Sequence, residues 1–74
     1  MNKWDVRFGL KDGRLLDGYL ENEFGDSLSV AKRLFDNRKN DDFVNCYGES
    51  DKSTNLFVRI GDVVCFEIGV HKGV

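Results

Sequence analysis

Trp4, Val6, Phe8 and Leu10 alternate without a break with Asp5, Arg7, Gly9 and Lys11, a period of two that suits a strand with one dry and one wet face. Directly behind them Asp12-Gly13 reads as a hairpin turn, and a second strand follows from Arg14 to about Asn22. Side-chain parity selects the turn. A two-residue loop sets Phe8 across from Asp17 and Lys11 across from Arg14, opposing a carboxylate to a core aromatic and like charges to each other. A three-residue loop of Lys11, Asp12 and Gly13, with Gly13 left-handed as a G1 bulge, pairs Phe8 with Leu16, Val6 with Gly18, Trp4 with Leu20 and Arg7 with Asp17. The bulged hairpin is the expectation.

From Asp26 the period changes. Asp26 or Ser27 can cap a helix in which Leu28, Ala31, Leu34 and Phe35, with Val30 beside them, form an apolar stripe. Lys32, Arg33 and Arg38 lie near its C-terminal end, where the helix dipole favours cations, and it should stop by about Asn37. Arg38 to Asp42 reads as a solvated connection, because a calcium loop needs a central glycine and a closing glutamate that are missing here. A third strand is expected over Phe43 to Tyr47, a polar surface loop over 48–55, and last strands over Leu56 to Ile60 and Val63 to Val70. Gly61-Asp62 between them fits either a tight II′ hairpin or a bend in one long strand. The pattern predicts an α+β fold: a small antiparallel sheet of four or five strands in ββαββ order, with one helix packed on one face.

The 74 residues are enough for one core and one domain, spanning 1–74. So small a core, with no disulfide framework or metal site in view, makes a homo-oligomer the expected way to hide more apolar surface. Eleven Lys and Arg against thirteen Asp and Glu give a net charge of −2, without the basic footprint of a general nucleic-acid binder. The two cysteines, Cys46 and Cys65, read as buried thiols; a disulfide is geometrically open to them if their strands are neighbours. One histidine and two cysteines are too few for a zinc site. MNKWDVRFGL lacks the apolar run of a secretory signal, and no stretch has the apolar length of a membrane span, so the expectation is a cytoplasmic chain with no membrane partner.

No nucleophile elbow, zinc-protease, P-loop or dinucleotide motif occurs. Glu21 with Glu23, and Asp41 with Asp42, lie in or beside loops and read as solvated. His71 reads as a free imidazole in a frayed tail. The chain is expected to be a non-enzyme with no cofactor and no metal. Its outer sheet face, by contrast, should show Leu15, Tyr19 and Phe57 or Phe66, more apolar surface than a wetted face usually carries, calling for a barrel closure, a partner subunit or a target protein. Candidate contact residues for a protein partner are Leu15 and Tyr19, with Arg7 and Asp17 beside them. Lys11, Arg14 or Arg59, at the subunit junctions of an oligomer, are candidates for a small anionic ligand such as a signalling nucleotide, since guanidinium forks suit phosphates.

Leu10-Lys11-Asp12-Gly13-Arg14-Leu15-Leu16-Asp17-Gly18-Tyr19-Leu20 resembles the first motif of Sm-like RNA-binding proteins, and Phe57-Val58-Arg59-Ile60-Gly61-Asp62-Val63-Val64 is similar to their second. The chain departs from that pattern where the Asp26 helix replaces the residues expected after the first motif, and where Ile60 separates Arg59 from Gly61. The resemblance implies single-stranded RNA as partner and a ring of subunits. In size, lack of proline, KDG hairpin, short central helix and closing FVRIGDVV strand, the chain also looks like small uncharacterised proteins of phages and prophages of Gram-positive bacteria. That likeness implies a stoichiometric inhibitor or adaptor acting in the host cytoplasm on a host protein, a defence component or a signalling nucleotide.

Overall fold

The computed structural model describes residues 2–23, 25–36, 38–48 and 52–71. The alternating segment forms strand β1 (Asn2–Leu10), with Trp4, Val6, Phe8 and Leu10 all buried, and the next strand is β2 (Leu15–Asn22). Their register pairs Phe8 with Leu16, Val6 with Gly18 and Arg7 with Asp17, as the three-residue loop requires. Gly13 sits at φ +89°, its amide donates to the Leu10 carbonyl at 2.9 Å, and the Leu10 amide donates to the Arg14 carbonyl at 2.9 Å. Asp12 completes the turn by accepting from the Arg14 amide at 3.0 Å.

Helix α1 (Ser27–Phe35) begins where Asp26 Oδ1 accepts from the Ser29 amide at 2.8 Å, which holds the Asp26 carboxyl below its usual range. It ends at Phe35, within the expected limit of about Asn37, and is capped by Asp36, whose backbone is extended and whose amide still donates to the Lys32 carbonyl; Asn37 itself lies outside the described residues. Val30 and Leu34, one turn apart, enter the core. Leu28 does not: it stands 65% exposed at the first turn, off the face of the helix that Val30 and Leu34 turn inward.

The remaining elements are β3 (Phe43–Tyr47), β4 (Asn55–Arg59), a one-turn 3₁₀ helix η1 (Ile60–Asp62) and β5 (Val63–Val70), giving five strands in ββαβββ order rather than the expected ββαββ. All neighbours are antiparallel, in the sheet order β4-β3-β2-β1-β5. β4 and β5 therefore stand at opposite ends of the sheet although three residues join them. A flat sheet cannot satisfy both facts, so this one curls into a half-open barrel. Gly61-Asp62 is accordingly no hairpin. It is the corner at which the chain leaves one end of the sheet for the other. Residues 38–42 brace that corner, the Asn40 and Asp42 carbonyls accepting from the Gly61 and Ile60 amides, each at 2.9 Å, so the stretch expected to be a plain solvated connection has a structural task.

The concave side of the curl holds the core: the four β1 side chains with Val44, Cys46 and Val58, closed by Val30 and Leu34 of α1. The cysteines part company. Cys46 is buried and its thiol is pushed up by burial, whereas Cys65, expected to be buried, is exposed on β5. Their strands are not neighbours, and both thiols are free.

Candidate binding surface

Because β1 and β2 point their odd-numbered residues outward, the convex face carries Asp5, Arg7 and Gly9 beside Tyr19, Asp17 and Leu15, with Gly69, Glu67 and Cys65 of β5 on the far side. The register of β3 and β4 adds Phe43 opposite Arg59, Asn45 opposite Phe57 and Tyr47 opposite Asn55. Three clusters result.

The first surrounds Tyr19. Expected to be an exposed contact residue, it is only 4% accessible, because chain segments remote in sequence lie over it. The His71 ring meets it edge-on at 5.0 Å and the Tyr47 ring at 6.3 Å. Its hydroxyl donates to Glu21 Oε1 at 2.8 Å, and Glu21 Oε2 accepts from Lys52 Nζ at 3.1 Å. Burial, and then the Glu21 carboxylate, push the Tyr19 phenol up to about 12, while the Tyr19 hydroxyl and then Lys52 pull Glu21 below the usual carboxylate range. His71 is no frayed imidazole. Its Nδ1 lies 2.7 Å from Asp5 Oδ1 and its amide donates to the Lys3 carbonyl at 3.0 Å; the tail beyond it lies outside the described residues. Lys52 adopts φ +66°, a left-handed position that non-glycine residues rarely take, which lets its ammonium reach both Glu21 and the Tyr47 ring. This cluster pins the outer face. A phenol held protonated is a poor base, and its one hydrogen bond is already committed.

The second cluster is a shallow groove of about 580 Å³ along β5, β1 and β2, rimmed by Asp5, Asp17 and Glu67 around Arg7. Arg7 Nε donates to Asp17 Oδ1 at 2.7 Å, and that bond, with the negative charge behind it, raises the guanidinium further. Arg7 is thus neutralised within the sheet. Arg14 is likewise committed, to Asp12 Oδ2 at 2.7 Å. It shares with Lys11 a notch of about 180 Å³ that also contains Asp12 and Asp62, an acidic setting too small for a nucleotide. Within one chain, Lys11 and Arg14 share the notch and Arg59 lies outside its lining.

The third cluster lies on β3 and β4. Phe43 and Phe57 are 53% and 61% exposed on one face, diagonal neighbours across the strand pair, with Arg59 directly opposite Phe43. Arg38 donates to the Phe43 carbonyl at 3.0 Å beside them. Arg59 makes no ion pair among the described residues. Leu15, exposed as expected, is the outlying apolar residue at the other end of the convex face. Of Phe57 and Phe66, expected as alternatives on the outer face, Phe57 is the one found there, and Phe66 lies on the other side. It pairs with Phe8 on the concave side and stacks on Phe35 at 4.3 Å. Phe43 was missed by sequence reasoning, although the alternation Phe43-Val44-Asn45-Cys46 carried the signal once Val44 is known to be inside.

No group of three or more potential metal ligands forms among the described residues, and no helix among them is long and apolar enough to cross a membrane. In comparisons with known proteins, no family model, no curated protein and no solved structure matches the chain.

Proposed function

We propose that this chain is a small non-enzymatic binding protein, an inhibitor or adaptor of the phage or prophage type, that engages a host protein through the outer face of β3 and β4. The observation that carries the reading is the pair Phe43 and Phe57, exposed on one face beside the guanidinium of Arg59, which has no ion-pair partner among the described residues. Aromatic rings next to arginine are the side chains most often found at the energetic centre of protein interfaces. The rings are held by a braced strand pair, so little conformational entropy is lost on contact. The net charge of −2 favours a protein over a nucleic acid as the partner.

The test compares wild-type protein with Phe57→Asp as baits in a host lysate, after circular dichroism has shown the same fold for both. One protein retained in stoichiometric amount by wild type and lost from Phe57→Asp supports the reading. Equal retention by both overturns it. Wild-type protein that carries ultraviolet-absorbing nucleic acid, released by salt, transfers the face to single-stranded RNA and the Sm-like reading.

A further inference from the structure

β5 is the most apolar strand of the chain, VVCFEIGV, with Glu67 its only charge, yet none of its eight residues is buried. It pairs with β1 along one side and ends the sheet on the other. The His71 amide donates to the Lys3 carbonyl, which sets the phase of the β1–β5 ladder. Alternation along an antiparallel strand then turns the backbone groups of Phe66, Ile68 and Val70 to the open edge. Long apolar edges of this kind are usually blunted by charge, proline or a bulge. The one irregularity on β5 falls at Val64, between Val63 opposite Leu10 and Cys65 opposite Gly9, and leaves the stretch from Cys65 to Val70 regular.

We propose that this edge is where a second copy of the chain pairs, β5 to β5, antiparallel about a twofold axis at Ile68. That register sets Ile68 against its own mate and Phe66 against Val70 of the other copy twice, covering side chains that are 40% and 63% exposed in one chain. It places Glu67 opposite Gly69, whereas an axis at Glu67 would oppose two carboxylates, and an axis at Phe66 would put Val70 opposite Asp62. The area agrees. A folded monomer of 8.5 kDa is expected to expose about 4650 Å², and this one exposes 5227 Å². The excess of about 580 Å² over the whole chain leaves surface for a partner copy to cover. The pairing uses the edge opposite β4 and is independent of the binding face proposed above.

The experiment is light scattering over a concentration series, with amide hydrogen exchange on the same samples. The expected result is a mass approaching twice 8.5 kDa, with the Phe66, Ile68 and Val70 amides gaining protection as the dimer fills. Val70→Asp should keep the circular dichroism spectrum and weaken dimerisation by about tenfold or more. A chain that stays monomeric, a ring-sized mass, or a dimer in which the Val70 amide remains open overturns the proposal, and the exchange reading on wild type decides the matter even if the variant misfolds.

Discussion

The His71 imidazole stands edge-on to the Tyr19 ring at 5.0 Å, joining the last described residue of the chain to the middle of β2. Burial, and then Glu21 on the phenol, push Tyr19 up to about 12. Because the folded value lies above the ordinary 10.0, the neutral phenol's contribution to stability is fully present below pH 10 and is lost as pH rises through about 12. A phenolate absorbance titration should therefore show a component near 12 that disappears in Tyr19→Phe. A tyrosine signal complete by pH 11 would contradict the cluster.

On the acid side the sign reverses. Glu21 is held below its ordinary 4.5 first by the Tyr19 hydroxyl and then by Lys52, so its contribution is present above that value and fades as pH falls through the lowered one. The melting temperature should fall once the pH drops below the ordinary 4.5, and Glu21→Gln should make that drop shallower. An equally steep fall in the variant would assign acid sensitivity elsewhere.

Gly18 and Cys46 should couple. A Cβ at Gly18 runs into the buried Cys46 sulfur, with Leu56 and the Tyr47 carbonyl close behind. Gly18→Ala should cost about 1–3 kcal/mol as overpacking, and Cys46→Ala should recover much of that. Gly9→Ala meets the sulfur of Cys65 at 2.6 Å, but that side chain is exposed and can swing away, so its cost should be smaller. Denaturant melts of wild type, Gly18→Ala, Cys46→Ala and the double variant form the cycle, and strict additivity would exclude the contact.

Gly13 is surrounded by open space, with nothing within 4 Å of the point a Cβ would occupy, so any cost of replacing it is a backbone cost. Gly13→Val should destabilise by about 1–2 kcal/mol and Gly13→Asn by distinctly less, because asparagine tolerates the left-handed region. Equal melting of both would show that the turn can relax.

In the core, Phe8→Ala should cost about 3–5 kcal/mol and Leu34→Ala about 2–5 kcal/mol, while Leu28→Ala, on the same helix but exposed, should stay within about 0.5 kcal/mol. Similar losses for Leu28 and Leu34 would rotate the helix.

The sequence alone determined whatever a few neighbouring residues decide. The bulged turn and its register followed from the parity of Trp4, Val6, Phe8 and Leu10 against β2, and the Asp26 cap from local hydrogen bonding. The alternation of β3 was equally local. What lay beyond it was every question of which surface covers which. Tyr19 has the outward parity of an exposed residue and is buried only because His71 and Tyr47 come from elsewhere to cover it. Phe66 is inward only because β5 joins β1. Hydrophobic alternation states that a strand has a dry side. Only the curl of the whole sheet, set by three residues that must link its two ends, decided which side that was and what remained open.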